Sequence, residues 1–296
     1  MRHFRIAFGV LGLALAGGLS LAGLALAQET GGAGLAQRGP HSDNLAERAF
    51  QAGMGESRAQ VIGAESGLFA ERMALIYLAA PGGASWRAEV AKIHDPARVS
   101  GLLHEALGRV LAEEGATPDL LAALGAVGVS AEGQGMLLAT RLELARPDGL
   151  AVASERLRAD AARGAPVLAA IDAMIATQDM VMPALAGALN RQLAFATSFG
   201  EAGGFDFPTS PEDAAADLML QSTEIAHEVE MRLRLEWYVG YGPLGAAAVN
   251  RAAARRASPE ARALDSLIDR AEALVLEQLA AESGRAAAAR MRGVPL

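Results

Sequence analysis

The stretch SPEARALDSLIDRAEALVLEQLA, residues 258–280, decides the fold class. Ser258 is a helix-capping residue, Pro259 suits the first helical position because its missing N–H would be unpaired there, and Glu260 suits the positive end of a helix. The apolar residues that follow recur at the i, i+3, i+4, i+7 spacing that places them on one side of a helix. They are Leu264, Leu267, Ile268, Ala271, Leu274, Val275 and Leu279. The stretch therefore predicts an amphipathic helix that begins at Pro259.

Three other segments carry the same start signal, a capping side chain followed by proline. They are Asp95-Pro96, Thr117-Pro118-Asp119 and Ser210-Pro211-Glu212. Apolar residues repeat with helical period after Pro96, and a further apolar stripe begins at Val167. Pro183 lies within that last stripe, and we expect it to kink the helix before the stripe resumes at Leu185.

The composition supports helices throughout the chain. Its 296 residues are 52% hydrophobic but only 4% aromatic, so Ala, Leu, Val and Met supply the apolar surface. Ala and Leu are strong helix formers, whereas strands draw on β-branched and aromatic residues. We therefore predict an all-α fold, a compact multi-helix bundle that forms a single helical domain over residues 43–296. The Ala-Arg-Gly-Ala-Pro segment at 162–166 leaves open a division into two halves, 43–163 and 166–296.

The N-terminus has the pattern of a removable export signal. Its parts, in order, are the basic residues Arg2, His3 and Arg5, an apolar run over 6–24 and the small-residue segment Ala25-Leu26-Ala27. We predict a signal peptide of residues 1–27 that is cleaved after Ala27, and hence a periplasmic protein. An uncleaved membrane anchor is the alternative, because the apolar run approaches the roughly 20 residues that span a bilayer. The Gly-rich residues 28–42 are predicted to form a flexible leader.

The absence of cysteine and the acidic charge exclude several function classes. Without cysteine the chain has no thiol nucleophile, thiolate metal site or cysteine-linked lipid. The net charge is −8, and removal of Arg2 and Arg5 with the signal makes the mature chain more acidic. Nucleic acids and anionic membranes attract clustered positive charge, so we expect no nucleic-acid partner. No second long apolar run follows the signal, so no membrane span is expected after cleavage.

No catalytic or cofactor motif stands out. Glu224 and His227 form a Glu-x-x-His pair of the kind that binds iron in carboxylate bundles, but no second such pair occurs. A solvated polar face is the simpler interpretation of that pair. His94 and His104 are ten residues apart, and we interpret them as surface or capping residues. We therefore predict no catalytic residue, no metal ligand and no cofactor.

Two groups of residues are candidates for a binding surface. The first is a polar set that interrupts an apolar helix pair, made of Gln178, Asp179, Asn190, Arg191 and Gln192. It is either the wet side of an amphipathic helix or, if it faces inward, part of a pocket. The second set is Trp237, Tyr238 and Tyr241, at a helix end beside glycines and a proline. It is either core packing or an anchor for a partner. The candidate surface residues are Asp179, Asn190, Trp237, Tyr238 and Tyr241.

Three segments resemble the bacterial family called domain of unknown function 2059, whose members are exported helical proteins. The first, Trp86 to Pro96, is similar to that family's pattern of Trp, then Val, then Ile-x-Asp. The second runs from Gly187 to Phe195 and on through a Gly-rich turn to Phe205, and the third is Tyr241-Gly-Pro-Leu244, preceded by Glu236-Trp237. The resemblance covers roughly residues 45–292. It implies an exported helical fold and brings no catalytic residues with it.

Together these patterns lead to a hypothesis about function. We expect a non-enzymatic binding or structural protein of the cell envelope, which binds another protein, not yet identified, or a small apolar ligand through its helical surface. The alternative is a periplasmic enzyme, a hydrolase or a metal-dependent enzyme, whose site is assembled from dispersed residues.

Overall fold

The computed structural model describes residues 40–78, 83–125, 131–206 and 209–293. The predicted signal peptide and residues 28–39 of the predicted leader lie outside the described residues. The all-α bundle predicted from the sequence is confirmed, because every regular element in these ranges is a helix. The helices are α1 (Pro40–Ala52), α2 (Gly55–Tyr77), α3 (Gly83–Ile93), α4 (Pro96–Glu114), α5 (Pro118–Gly125), α6 (Ala131–Leu144), α7 (Gly149–Ala162), α8 (Pro166–Thr177), α9 (Val181–Glu201), α10 (Pro211–Leu220), α11 (Ser222–Tyr241), α12 (Ala246–Arg256) and α13 (Pro259–Met291). The first of them begins inside the segment predicted to be leader.

The four predicted helix starts are all present, at the first residues of α4, α5, α10 and α13. The Ser258 hydroxyl accepts a hydrogen bond from the N–H of Ala261 at 3.2 Å. Ser210 and Asp213 form a reciprocal capping box at the start of α10. Such caps satisfy N–H groups that the first helical turn leaves unpaired.

The predicted kink at Pro183 is wrong in position, because the chain turns earlier. α8 and α9 meet at a bend of 71°, and Asp179 lies in the turn with a left-handed φ of 47°. The N–H of Asp179 donates to the carbonyl of Ala176, and the N–H of Met180 donates to that of Ile175. This pair of bonds closes the end of α8, and Pro183 lies in the first turn of α9, where a missing N–H costs nothing.

The longest helix, α13, lies at the centre of the packing. It contains 33 residues and is therefore about 50 Å long. It packs against α4, α5 and α9, among others. Its approach to α9 is closest at Gly284, where a Cβ atom would lie 2.4 Å from the carbonyl oxygen of Phe195. Neighbouring Ser283 is fully buried and donates its hydroxyl to the carbonyl of Leu279. Small residues thus let the two helices pack backbone against backbone.

Three hydrophobic clusters form the core of the described ranges. One joins α6, α7, α8, α9, α11 and α12, a second joins α1, α2, α4 and α5 to α13, and a third joins α2 and α3 to α9 and α13. The two segments considered as halves, 43–163 and 166–296, therefore share core. Among the described helices, none is by itself both long and apolar enough to cross a bilayer, and α8 and α9 reach that length only as a bent pair.

The turn at Asp179 can be tested by substitution. Asp179→Gly should stabilise the protein by about 0.5 kcal/mol, because glycine has no Cβ to strain a left-handed backbone. Asp179→Ala should destabilise it, because a left-handed backbone is less favourable for alanine than for aspartate. Urea denaturation measures both changes. Destabilisation by glycine would mean that the Asp179 side chain contributes more than its backbone conformation costs.

Candidate functional site

A network of buried arginines and carboxylates lies where α2, α6, α11 and α13 meet. Its central residue is Arg141 on α6, whose side chain is 8% exposed. The Nε and Nη2 atoms of Arg141 donate to the two carboxylate oxygens of Glu65 at 3.0 and 2.7 Å, and its Nη1 donates to Glu272 at 2.9 Å. One guanidinium therefore ties α6 both to α2 and to α13.

Two further arginines extend the network. Nη1 of Arg58 donates to the second carboxylate oxygen of Glu272, so that Glu272 bridges two guanidinium groups. Nε of Arg232 donates to Glu236 at 2.6 Å, one turn further along α11, and its Nη2 lies 3.6 Å from Glu65. Charges removed from water are tolerated only when they are paired and hydrogen-bonded, as these are.

Burial and ion pairing act on the network in opposite directions. Burial favours a raised pKa at Glu272, but the positive charges of Arg141 and Arg58 outweigh it and hold that pKa at about 2. Burial likewise disfavours the charged form of Arg141, but Glu65 and Glu272 bring its pKa well above its ordinary value. At Glu236 burial dominates, and its pKa is raised despite the neighbouring arginines. Arg141 and Glu272 are therefore both charged near pH 7.

An apolar cavity opens next to this network, between α5, α6, α11, α12 and α13. Its volume is about 330 Å³, and we call it the outer cavity. Trp237 and Tyr241, one turn apart on α11, form one wall, with their rings stacked at a centroid distance of 5.0 Å. The other lining residues are Ala122, Ala123, Gly133, Gln134, Leu137, Ala252, Arg255, Arg256, Ser258, Glu260, Ala261, Leu264 and Asp265. Small residues leave the space, and the two aromatic side chains form part of its apolar lining.

A second, smaller cavity of about 100 Å³ lies between the outer cavity and the ion network, and we call it the inner cavity. Five residues line both cavities: Gln134, Leu137, Trp237, Arg256 and Asp265. The inner cavity is otherwise lined by Arg58, Leu138, Arg141, Met180, Ala184, Leu233, Glu236, Asp269 and Glu272. An apolar space is thus followed by a polar one that ends at the buried charges.

Three side chains form the boundary between the two cavities. Nη2 of Arg256 lies 3.1 Å from a carboxylate oxygen of Asp265, and Nε2 of Gln134 donates to the other at 3.2 Å. The guanidinium carbon of Arg256 also lies 5.7 Å from the ring centre of Trp237, within the range of a cation–π contact. Asp265 therefore holds the boundary together.

The boundary keeps polar atoms unused. Within the ranges that the structure describes, Oε1 of Gln134 and Nε of Arg256 are buried without a hydrogen-bond partner. Close to them, burial and the charge of Asp265 raise the pKa of Asp269 to about 7. Buried polar atoms without partners are rare and costly, and perturbed carboxyl groups cluster at functional sites. This boundary is the candidate site.

The structure brings together only part of the predicted surface. Trp237 and Tyr241 line the outer cavity, whereas Tyr238 lies on another side of α11 and donates its hydroxyl to Asp160 at 2.6 Å. All three aromatic side chains are buried, so they are not an exposed anchor. Asp265, which contacts both Arg256 and Gln134 in the candidate site, was not among the predicted residues.

The structure divides the polar set of α8 and α9 into exposed and buried residues. The buried ones, Arg191 and Gln192, line a small cavity with residues of α2 and α11. Asp179 is exposed in the turn, and Asn190 is exposed on α9, where it hydrogen-bonds Glu277. Both lie outside the two cavities. Arg191 and Gln192 are buried, so the interpretation of the whole set as a wet helix face is wrong for those two residues.

The remaining motifs also lie away from the cavities. Glu224 and His227 are exposed on α11. His94 was expected to be a surface or a capping residue, and the structure shows that it is buried. Its Nδ1 lies 2.9 Å from the carbonyl of Val90 in the last turn of α3, which agrees with the capping alternative. Burial lowers its pKa to about 4, so it is neutral near pH 7. Over the described part of the chain, no group of three or more His, Asp or Glu is arranged to hold a metal ion.

The charged residues of the site carried a signal that motif analysis missed. Asp265, Asp269 and Glu272 are spaced by four and three residues, so they share a face of α13. That face lies beside the apolar stripe of the same helix, which is an unusual place for three acids.

No family model, curated protein or solved structure matches the chain. Function therefore has to be inferred from the site itself.

The ion network should dominate stability. Arg141→Met should cost about 3–5 kcal/mol of unfolding free energy, because it leaves Glu65 without its bidentate partner in a buried position. Arg146→Met is the matched control, since Arg146 pairs with Glu143 at the surface nearby and should cost less than about 0.5 kcal/mol. Urea denaturation of both variants measures the difference. Equal losses would refute a structural role for the network.

The raised pKa of Asp269 makes its effect on stability depend on pH. Its folded pKa of about 7 exceeds the ordinary value of 3.8, so the folded protein binds the proton more tightly and loses stability as pH rises between these values. Asp269→Asn should remove that loss and stabilise the protein by about 4 kcal/mol more at pH 8 than at pH 4. Denaturation at a series of pH values tests this. A difference that does not vary with pH would contradict the raised pKa.

Proposed function

We propose that this protein is an exported, non-enzymatic binding protein of the cell envelope that takes up a small ligand with an apolar body. The observation that carries the proposal is the outer cavity of about 330 Å³ beside Trp237 and Tyr241. Ligand pockets are concave, largely apolar, and equipped with a few polar groups that fix orientation. The outer cavity and its boundary residues have those properties.

The side chains around the outer cavity favour a ligand over a packing defect. Gly133, Ala252 and Ala261 contribute little volume, and the space they leave faces the stacked rings of Trp237 and Tyr241. A core that served stability alone would be filled to the density of an organic crystal. An apolar ligand that covers the two rings would supply the packing contacts that are missing because these residues are small.

The ion network, which borders the inner cavity, supports the same proposal. Arg141 and Glu272 fix α6 and α13 to each other, and both helices contribute to the walls of the outer cavity. A cavity held open by rigid elements needs little reordering when a ligand enters, which favours affinity. The network therefore holds the helices around the outer cavity in a fixed arrangement, so that the site is preformed.

We further propose the location that the N-terminal sequence indicates. Residues 1–27 act as a signal peptide that is removed after Ala27, and the mature chain is periplasmic. Membership of the domain of unknown function 2059 family, proposed on the three segments quoted above, would fit an exported helical protein. Another protein as partner remains the second form of the binding hypothesis, and it would use the outer surface rather than the cavity.

An enzyme is the alternative function, and one observation favours it. Asp265 and Asp269 are one helical turn apart at the boundary, and the pKa of Asp269 is raised to about 7. Two carboxyl groups in different environments are typical catalytic groups of enzymes that hydrolyse by acid–base catalysis. A bound compound that is recovered in cleaved form would support this alternative.

Filling the outer cavity should abolish ligand retention. Ala261→Phe places a ring in the cavity, whereas Ala254→Phe places the same ring on the exposed side of α12 and serves as the control. Native mass spectrometry of the protein from the envelope fraction of its own host should show a chain that begins at Gln28 and carries an additional mass. That mass should be absent from Ala261→Phe and present in Ala254→Phe.

The outcomes separate the parts of the proposal. A bare chain in the unmodified protein, or a mass that both variants retain, would refute a ligand in the outer cavity. A mass corresponding to residues 1–296 would refute cleavage after Ala27 without bearing on the cavity. Circular dichroism of both variants confirms that the added ring leaves the helical fold intact.

A further inference from the structure

The geometry points to the chemical class of the ligand: an organic cation whose ammonium group enters the inner cavity and binds Asp269 and Oε1 of Gln134. This inference rests on the proposed binding function and adds the identity of the polar group. The apolar part of the ligand would lie in the outer cavity against Trp237 and Tyr241.

The first argument is the hydrogen-bonding capacity at the boundary. Gln134 is 5% exposed, its Nε2 is used by Asp265, and its Oε1 accepts no hydrogen bond within the described residues. An amide oxygen can only accept, so the missing partner is a donor. An ammonium group has three N–H donors and no acceptor, which matches the two acceptors named here, Oε1 of Gln134 and the carboxylate of Asp269.

The second argument is the distribution of charge around Asp269. The charged residues that line the inner cavity with it are Arg58, Arg141, Glu236, Arg256, Asp265 and Glu272. Each of the three arginines already contacts another carboxylate: Arg58 and Arg141 bind Glu272, and Arg256 binds Asp265. Asp269 is the carboxyl group in this cavity for which no ion pair or hydrogen bond supplies a dedicated cation. A ligand cation would complete the pairing.

The third argument is the nature of the walls. Trp237 and Tyr241 line the outer cavity with their rings stacked on each other, and aromatic rings attract cations as well as apolar groups. Arg256 already takes a position of this kind over Trp237. An anionic ligand would find an unused donor in Nε of Arg256, but it would also meet the carboxylates of Asp265 and Asp269 and the lone pairs of Gln134. A neutral alcohol offers one donor where the site offers several acceptors.

The inference predicts a pH dependence of binding. A cation beside Asp269 requires the ionised carboxylate, and with a pKa of about 7 in the free protein most of these carboxyl groups are protonated at pH 6. Affinity for an amine should therefore be about tenfold lower at pH 6 than at pH 8. Amines of pKa well above 8 stay protonated over this range, so the change reports on the protein.

The test compares three probes of similar shape by isothermal titration calorimetry on the mature protein. They are 2-phenylethylamine, 2-phenylethanol and phenylacetate. The amine should bind at least tenfold more tightly than the alcohol, and the acid should bind most weakly. Asp269→Asn, a change that should not impair folding, should remove the preference for the amine. Asp172→Asn is the control, because Asp172 is an exposed acid that pairs with Arg234 on the surface.

Each result has a definite consequence. Equal affinity for amine and alcohol, tighter binding of the acid, or an unchanged preference in Asp269→Asn would overturn the cation assignment while leaving the apolar cavity in place. Binding of none of the three probes would also overturn it, and the cavity-filling experiment with Ala261→Phe then decides the proposed function independently.

Discussion

The fold depends on the burial of one guanidinium group, that of Arg141, between two carboxylates. An ion taken from water into a protein interior costs several kcal/mol unless its partners meet it with correct geometry. Glu65 and Glu272 provide that geometry from two other helices. Helices packed only through Ala and Leu could slide or rotate relative to one another with little penalty. The paired charges remove this freedom, because a shift of one residue would separate them.

The same constraint explains why a cavity can persist nearby. A bundle that is rich in alanine would be expected to close over empty space, since neighbouring helices can approach closely where side chains are small. At Gly284 the chain does this, and α9 and α13 touch through their backbones. At the other end of α13, Asp265 and Glu272 are engaged with arginines of α12, α2 and α6. Of these side chains, Arg256 and Asp265 line the outer cavity, and Arg58, Arg141 and Glu272 line the inner one.

Much of the fold could be predicted from the sequence, because capping and periodicity act over a few residues. Ser258 and Pro259 identify the start of α13 by a mechanism that needs no tertiary information. The site could not be predicted in the same way. Arg141 and Glu272 are far apart in the chain, and neither belongs to a motif, so only the packing of helices reveals that they meet. The aromatic pair was identified by its unusual composition, but its spacing alone could not tell a cavity wall from a helix end in the core.

The buried polar groups without partners at the boundary are the strongest indication that the network does more than stabilise. Packing alone does not require these two groups, since an apolar residue at position 269 and a leucine at position 134 would remove the isolated carboxyl group and the unpaired amide oxygen. A buried amide oxygen without a donor costs about 1–3 kcal/mol, and the rise of the Asp269 pKa from 3.8 to about 7 corresponds to a cost of about 4 kcal/mol when the carboxyl group is ionised. Gln134 and Asp269 both carry such a cost, and both border the inner cavity. Local costs that converge on one cavity are expected where a protein keeps groups ready for a ligand, because the missing interactions are then supplied on binding.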